Sequence, residues 1–132
     1  MSHVVDTHGL VWFFEGNARL GNHAKTVLDT TDETLVLPAT VIAEACWMIQ
    51  RGRSSIPSIA AFFTAIDSDT RFQIVPLDRA TIEKSNSLTA ITEMHDRQIV
   101  ATTLLLIEKG QSVNLITHDG VITASGLVPI IW

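Results

Sequence analysis

The sequence is poor in the residues that build disulfides, thiolate metal sites and membrane spans. Cys46 is its only cysteine, which excludes an internal disulfide and a cysteine-based zinc site. No apolar run reaches the roughly 18 residues of a membrane-spanning helix, and the first residues lack a basic segment followed by an apolar one. We therefore expect neither a membrane span nor a secretion signal, and a reduced, cytoplasmic setting.

Charged residues are also scarce, at 17% of the chain, and they are unbalanced: nine Lys and Arg face fourteen Asp and Glu, for a net charge of −5. A nucleic-acid partner usually leaves a basic footprint, which this composition lacks. There is no repeat, low-complexity tract or linker. With 132 residues, 46% of them hydrophobic, the chain is expected to form a single domain, residues 1–132, with a substantial core.

Short apolar runs alternate along the chain with longer segments of helical periodicity. The runs predict strands at 3–6, 34–37, 72–76, 113–117 and 128–132. The longer segments predict helices at 7–15, 22–30, 40–50, 57–67, 78–88 and 93–109. This alternation predicts a three-layer α/β/α fold with a central parallel sheet.

Two aspartates follow predicted strands. Asp6 comes directly after the first strand, and Asp119 comes two residues after the apolar run of the fourth. Aspartate between a strand and a helix is often a turn residue or a helix cap. Ligands of parallel sheets, however, bind at the carboxyl ends of the strands, so the two carboxylates are also candidates for a shared site.

Two further acids lie in predicted helices. Glu44 interrupts the apolar helix ATVIAEACWMI, where burial without a partner would cost several kcal/mol, of the order of 2–7, or force protonation. A structural salt bridge is the alternative. Asp96 precedes the longest apolar helical run, where a helix N-terminus favours a negative charge, and its neighbour Arg97 could pair with an acid.

Together, Asp6, Glu44, Asp96 and Asp119 provide four carboxylates without a cluster of basic partners. If they lie close together, they would repel unless divalent cations neutralise them. Oxygen-only ligands select hard ions such as Mg²⁺ or Mn²⁺. A site of this kind can orient water against a phosphodiester.

The segments VVDTHGLVWFF, ATVIAEA, HDRQIVATTLL and LITHDGVITASGLVPIIW, in this order and spacing, resemble the PIN-domain family. Within it they look most like the VapC-type toxins of bacterial toxin–antitoxin pairs. The resemblance implies an α/β/α ribonuclease dependent on Mg²⁺ or Mn²⁺, which leaves a 5′-phosphate and a 3′-hydroxyl. It also implies an RNA substrate, an antitoxin partner and a homodimer.

Carried over residue by residue, the four family acids fall on Asp6, Glu44, Asp96 and Asp119, as catalytic and metal-ligating residues. The resemblance adds Thr117, two positions before the last acid, as a ligand of water or metal. Two secondary candidates are Thr7, which follows the first acid, and Glu93. Many relatives read Asp-Pro-Phe-Asp-Arg where this chain reads Glu93-Met94-His95-Asp96-Arg97, which puts a metal role for Glu93 in doubt.

Discounting the four candidate ligands reduces the net charge to −1, and one divalent ion would bring it to +1. RNA is then admissible, and four basic residues in loops or near helix ends could line its groove: Arg19, Lys25, Arg51 and Arg53. Five large side chains are expected in the core, although some could form a groove for the antitoxin: Trp12, Phe13, Phe14, Trp47 and Met48. His3, His8 and His118 are given no role, and no serine has the context of a nucleophile.

Two other functions remain open. The first is a PIN fold that has lost catalysis and acts only as a binding module, although the presence of all four acids argues against it. The second is a phospho-receiver domain, which has a similar length and alternation. A receiver needs an acid pair after its first strand and a late lysine near the site, and this chain has neither.

Overall fold

A computed structural model describes residues 1–132. Five strands form one sheet: β1 (Ser2–Val5), β2 (Thr34–Pro38), β3 (Phe72–Val75), β4 (Val113–Ile116) and β5 (Ile130–Ile131). Seven helices connect them: α1 (Thr7–Glu15), α2 (Asn22–Thr30), α3 (Ala39–Gln50), α4 (Ile59–Asp67), α5 (Arg79–Asn86), α6 (Met94–Glu108) and α7 (Gly120–Ser125). None of these helices is long and apolar enough to span a bilayer.

The sheet is parallel throughout, in the order β3-β2-β1-β4-β5. The chain moves outward from β1 to β3 and then returns to the other side of β1. With right-handed crossovers, α1 to α4 cover one face and α5 to α7 the other. The predicted three-layer α/β/α fold is therefore confirmed. The order differs from the 2-1-3-4-5 order of flavodoxin-like sheets, to which the receiver domains belong.

The reversal of strand order places β1 next to β4, and their carboxyl ends side by side. The register pairs Val5 with Ile116, and the backbone N–H of Asp6 donates to the Ile116 carbonyl at 3.1 Å. Val4, Val5, Leu115 and Ile116 are fully buried. Apolar side chains on both faces thus hold these two strands in the sheet. The position of the polar residues that follow each strand is fixed as a result.

Most predicted elements are confirmed, with shifts of one or two residues at their ends. Gly16 ends α1 in the left-handed conformation, at φ 63°, where glycine has no Cβ to clash. Strand β2 extends one residue beyond the predicted 34–37, because Pro38 pairs with Val75. Helix α4 begins after the cap Ser58 rather than at Pro57.

Two differences lie at the end of the chain. Helix α7 was not predicted, because its six residues are too few to show a helical period. Strand β5 has two residues, Ile130–Ile131, instead of the predicted five, since only these pair with β4. Both differences concern elements close to the shortest length that a sequence pattern can reveal.

Candidate active site

A cleft of about 900 Å³ opens at the carboxyl ends of β1 and β4. Such a crevice, where the strand order reverses, is the usual ligand site of open parallel sheets. Its lining is mostly polar and contains all four predicted acids. The residues that line it are Asp6, Thr7, His8, Ala43, Glu44, Trp47, Met48, Arg53, Glu93, His95, Asp96, Ile99, His118, Asp119 and Gly120.

Asp6 lies at the floor of the cleft and is almost completely buried, with 6% of its surface exposed. One carboxylate oxygen, Oδ1, accepts a hydrogen bond from the backbone N–H of Gly9 at 2.7 Å and so caps α1. Burial raises the pKa of Asp6, while hydrogen bonds from Thr117 and Gly9 act in the opposite direction. The cap accounts for one oxygen, and the other is available to a ligand.

Asp119 plays the same local role after β4. Its Oδ1 accepts from the backbone N–H of Ile122 at 2.8 Å and caps α7. Thr117 is fully buried, and its hydroxyl oxygen accepts from the backbone N–H of Asp119 at 3.1 Å. Its side chain also opposes the rise in the pKa of Asp6. Both aspartates therefore cap a helix and also line the same cleft.

Glu44 reaches the cleft from α3, with its side chain about one-third exposed. Its Oε1 accepts a hydrogen bond from the hydroxyl of Thr7 at 2.7 Å. This bond joins the first turn of α1 to α3. The structural salt bridge that was the alternative for Glu44 has one partner within range, the ring of His95, whose Nδ1 lies 3.9 Å from Glu44 Oε2; no lysine or arginine pairs with Glu44.

Asp96 reaches the cleft from the first turn of α6. Burial, followed by the charges of Asp119, Glu93, Glu44 and Asp6, raises the pKa of Asp96 to about 7. No lysine or arginine lies close enough to offset this repulsion. Five carboxylates and a single arginine, Arg53, line the cleft, so its side chains carry an excess of negative charge.

Glu93 precedes α6 and caps it, since its Oε2 accepts from the backbone N–H of Asp96 at 2.8 Å. Its other oxygen, Oε1, lies 2.7 Å from Nδ1 of His95. This contact with Glu93 raises the pKa of the His95 ring, against the effect of its burial. Glu93 is therefore engaged twice in local contacts at the rim.

The donor chemistry of the cleft fits a hard divalent cation, because its floor and walls present carboxylate oxygens and no thiol. Burial is the main cause of the raised pKa of Asp96, and the repulsion by neighbouring carboxylates that adds to it is what such an ion would relieve. As placed, no three of the acidic and histidine side chains form a closed set of ligands. The residues fit the ion in chemistry, and binding would require side-chain rotation.

The basic residues that could line an RNA groove are distributed unevenly. Arg53 lines the cleft, and the guanidinium of Arg19 lies 5.9 Å from the ring centre of Trp12. Arg51 stacks on the exposed Trp47 at 4.2 Å. Lys25 pairs with Asp29 on α2, outside the cleft.

Arg97 does not pair with a neighbouring acid. Its Nε donates to the carbonyl of Ile91 instead, which ties the start of α6 to the preceding loop. Trp47, predicted by default to be a core residue, is exposed over 57% of its surface; Trp12, Phe13, Phe14 and Met48 are partly buried and pack against the core.

Three histidines that were not selected from the sequence line the cleft: His8, His95 and His118. His8 and His118 follow β1 and β4 beside Asp6 and Asp119, so their position near two candidate ligands was the available signal. His3, by contrast, lies on β1 and contacts Glu33 at 3.3 Å. His3 and His8, which flank Asp6 in the sequence, therefore do not form a metal site with it.

The model of the PIN domain family matches residues 3–122. A comparison with curated protein sequences finds no significant match. The resemblance inferred from the four sequence segments is thus supported by a family match over most of the chain.

Several solved structures share this fold. The Mycobacterium tuberculosis toxin VapC20, which cleaves the sarcin–ricin loop, superposes with a TM-score of 0.68 at 20% identity, covering 96% of each chain. A toxin–antitoxin complex from Klebsiella pneumoniae gives 0.70 at 16% identity, covering 98% of this chain and 96% of that one. VapBC2 from Rickettsia felis, bound to a promoter DNA fragment, gives 0.69 at 13% identity, covering 99% and 98%.

Proposed function

The chain belongs to the PIN-domain family, and we propose that it is a Mg²⁺- or Mn²⁺-dependent endoribonuclease, the toxin of a toxin–antitoxin pair. Residues 1–132 act as a single catalytic domain. The observation that carries the proposal is the convergence of Asp6, Glu44, Asp96 and Asp119 on one cleft from four separate segments. The fold neighbours, a ribosomal-loop-cleaving toxin among them, favour RNA as the substrate.

Asp6, Asp96 and Asp119 are the residues that would hold the divalent ion. A bound Mg²⁺ or Mn²⁺ would polarise a water molecule and neutralise charge on the scissile phosphate. Gly9 fixes one oxygen of the Asp6 carboxyl, and the neighbouring Thr117 side chain lowers the pKa of that carboxyl against the effect of burial. Thr117 acts mainly by orienting Asp6, since it is fully buried.

Glu44 accepts the proton of the attacking water. Thr7 occupies one of its oxygens, which leaves the other directed at the cleft, 3.9 Å from His95. The water oxygen bonds to phosphorus opposite the 3′ oxygen, the bond between phosphorus and that oxygen breaks, and the 3′ oxygen takes up a proton. The products are a 5′-phosphate and a 3′-hydroxyl.

The test compares Asp6→Asn with Asp78→Asn, using tRNA and ribosomal RNA fragments as substrates with Mg²⁺, Mn²⁺ or EDTA. Asp78 is a matched control, because it caps α5 through the backbone N–H of Thr81 but lies outside the cleft. Asparagine is as good a cap as aspartate, so both variants should fold. We expect cleavage to require the metal, to disappear in Asp6→Asn and Asp96→Asn, and to persist in Asp78→Asn. Full activity of purified Asp6→Asn would refute the assignment.

We further propose an antitoxin as partner and a homodimer as the assembled toxin. The support for a protein partner is the exposed Trp47, which stands at the cleft with the Arg51 guanidinium against its ring. Aromatic and arginine side chains that become buried on binding are typical of the centre of protein interfaces. Trp47→Ala is expected to weaken inhibition by the co-expressed antitoxin.

A binding module without catalysis is the second candidate, and one observation favours it: no three side chains form a ready ligand set. Calorimetric titration with Mn²⁺ separates the two. The enzyme should bind the ion, and Asp6→Asn should weaken that binding, whereas a silent module should bind none.

A further inference from the structure

Four aromatic rings form a continuous cluster beside the carboxylates, which we call the aromatic platform: His8, Trp12, His118 and Trp132. The ring of His118 stacks on Trp132, with centres 4.9 Å apart and planes 30° from parallel. Trp12 lies 5.0 Å from His118 and 5.2 Å from His8. His8 and His118 meet edge to face at 5.7 Å.

The platform is open on the side that faces the cleft. Its two histidines are exposed and line the cleft, whereas the two tryptophans are partly buried beneath them. His8 lies two residues after Asp6, and His118 directly precedes Asp119. A strand of RNA whose phosphate is held by the aspartates would therefore pass over these rings.

The rings are held in place from below. Gly21 packs so closely on Trp132 that a Cβ there would come within 2.6–2.8 Å of its backbone carbon and ring. On the other side, the guanidinium of Arg19 lies over Trp12. A rigid aromatic surface with a cation at its edge suits a nucleobase attached to a phosphate better than an aliphatic side chain.

We propose that the aromatic platform stacks a nucleobase of the substrate next to the scissile phosphate. This inference rests on the proposed ribonuclease function and adds a base-binding subsite to it. Aromatic stacking needs an exposed base face, which a base within a duplex does not offer. It recognises the base face rather than its hydrogen-bonding edge, so it tolerates different sequences.

The test measures binding of a six-nucleotide single-stranded RNA and of the same backbone with abasic riboses, in Ca²⁺. A Trp47→Phe background leaves Trp12 and Trp132 as the only fluorescent reporters. We expect the base-bearing RNA to bind about 5- to 150-fold more tightly than the abasic strand, the range of stacking on one to a few rings, and to quench tryptophan fluorescence. The double variant with His8→Ala and His118→Ala should reduce both the preference for the base-bearing RNA and the quenching. Combining His8→Ala with His118→Tyr instead should restore both.

His23→Ala is the matched control, because His23 is an exposed histidine outside the platform. It should leave the preference for bases unchanged. Equal affinity for the base-bearing and abasic strands, or a preference that survives the double alanine variant, would overturn the proposal and assign the rings to packing or to a protein contact. RNA cleavage by the wild type, measured separately, decides the nuclease function: cleavage without a base preference rejects only the platform, and a base preference without cleavage rejects only the nuclease.

Discussion

At the scale of single residues, the site consists of side chains with two roles. Asp6, Glu93 and Asp119 each cap a helix with one carboxylate oxygen and turn toward the cleft. A sequence pattern indicates helix capping as readily as it indicates a place in the cleft. Asp6 and Asp119 could be selected because they followed strands, and Glu44 because it interrupted an apolar helix, whereas Asp96 was singled out by the family resemblance. His95 gave no such signal, since it lies on a polar first turn.

Gly9 tests how closely the Asp6 carboxyl is positioned. A Cβ at Gly9 would lie 2.9 Å from Asp6 Oδ1, whereas a Cβ at Gly120, in the first turn of α7, meets nothing within 4 Å. Gly9→Ala is therefore expected to cost about 1 kcal/mol of cap stability and to reduce RNA cleavage at least tenfold. Gly120→Ala should be neutral or stabilising. Urea denaturation and cleavage rates check both, and wild-type activity in Gly9→Ala would contradict this view of Asp6.

Asp96 should reduce the stability of the metal-free protein. Its pKa is 3.8 as a free group and about 7 in the fold, so the folded state holds a proton that the unfolded state loses between these values. The free energy of unfolding should fall as pH rises from 4 to 7 and then level off. We expect Asp96→Asn to stabilise the protein in EDTA at pH 8 by about 1–2 kcal/mol, a value discounted for solvent screening of a half-buried group. The gain should vanish at pH 4, and thermal melts across this range provide the measurement.

At the scale of elements, the sequence predicted the strands and helices that have either alternating apolar runs or clear caps. Helix α1 matches the predicted range at both ends, and α5 lies within its predicted range of 78–88. The contacts between distant elements could not be predicted from the sequence. Arg71 is an example: its Nη1 donates to the carbonyls of Leu28 and Thr31, both at 2.8 Å, and so closes the end of α2. Nothing near Arg71 in the sequence points to α2.

Replacing Arg71 should therefore destabilise the protein. Its guanidinium also pairs with Asp69 at 2.7 Å, and Arg71→Met removes all of these bonds, at an expected cost of about 2 kcal/mol. Arg79→Met is the matched control, because Arg79 pairs with Glu83 on an exposed helix face, where ion pairs contribute about 0–1 kcal/mol. Chemical denaturation should separate the two variants, and equal effects would contradict the role of Arg71.

The Arg71 effect should depend on pH. Arg71 holds the pKa of Asp69 below its usual 3.8, so the stabilisation from this pair is present above that value and lost as pH falls below it. The difference between wild type and Arg71→Met should therefore narrow in acid. The bonds to the two carbonyls remain at low pH, so the difference should not disappear.

At the scale of the whole molecule, the net charge of −5 first argued against RNA. Five of the fourteen acidic residues line the cleft, where a bound cation would offset their charge, so the net charge is a weaker argument against the proposed RNA substrate. The parallel sheet and its layers followed from alternation alone. The order of its strands, which brings Asp6 beside Asp119, did not, because strand order depends on pairing between distant segments.

RNA binding should accordingly depend only weakly on salt. Few basic residues lie near the cleft, chiefly Arg53 and Arg19. We expect a plot of log affinity against log salt to have a slope between about −1 and −2, corresponding to two or three phosphates of a single strand. Arg53→Gln should make the slope shallower by about 0.7, and Arg79→Gln should leave it unchanged. A slope steeper than about −4 would indicate an extended basic surface that this chain does not have.

The adjacency of β1 and β4 has a consequence for the time at which the cleft forms. Asp6 is synthesised long before Asp119, because two strands and six helices lie between β1 and β4 in the chain. Their strands can pair only after β4 has been synthesised, so a nascent chain that ends before β4 lacks the complete carboxylate set. The cleft therefore arises late in synthesis, on completion of the sheet.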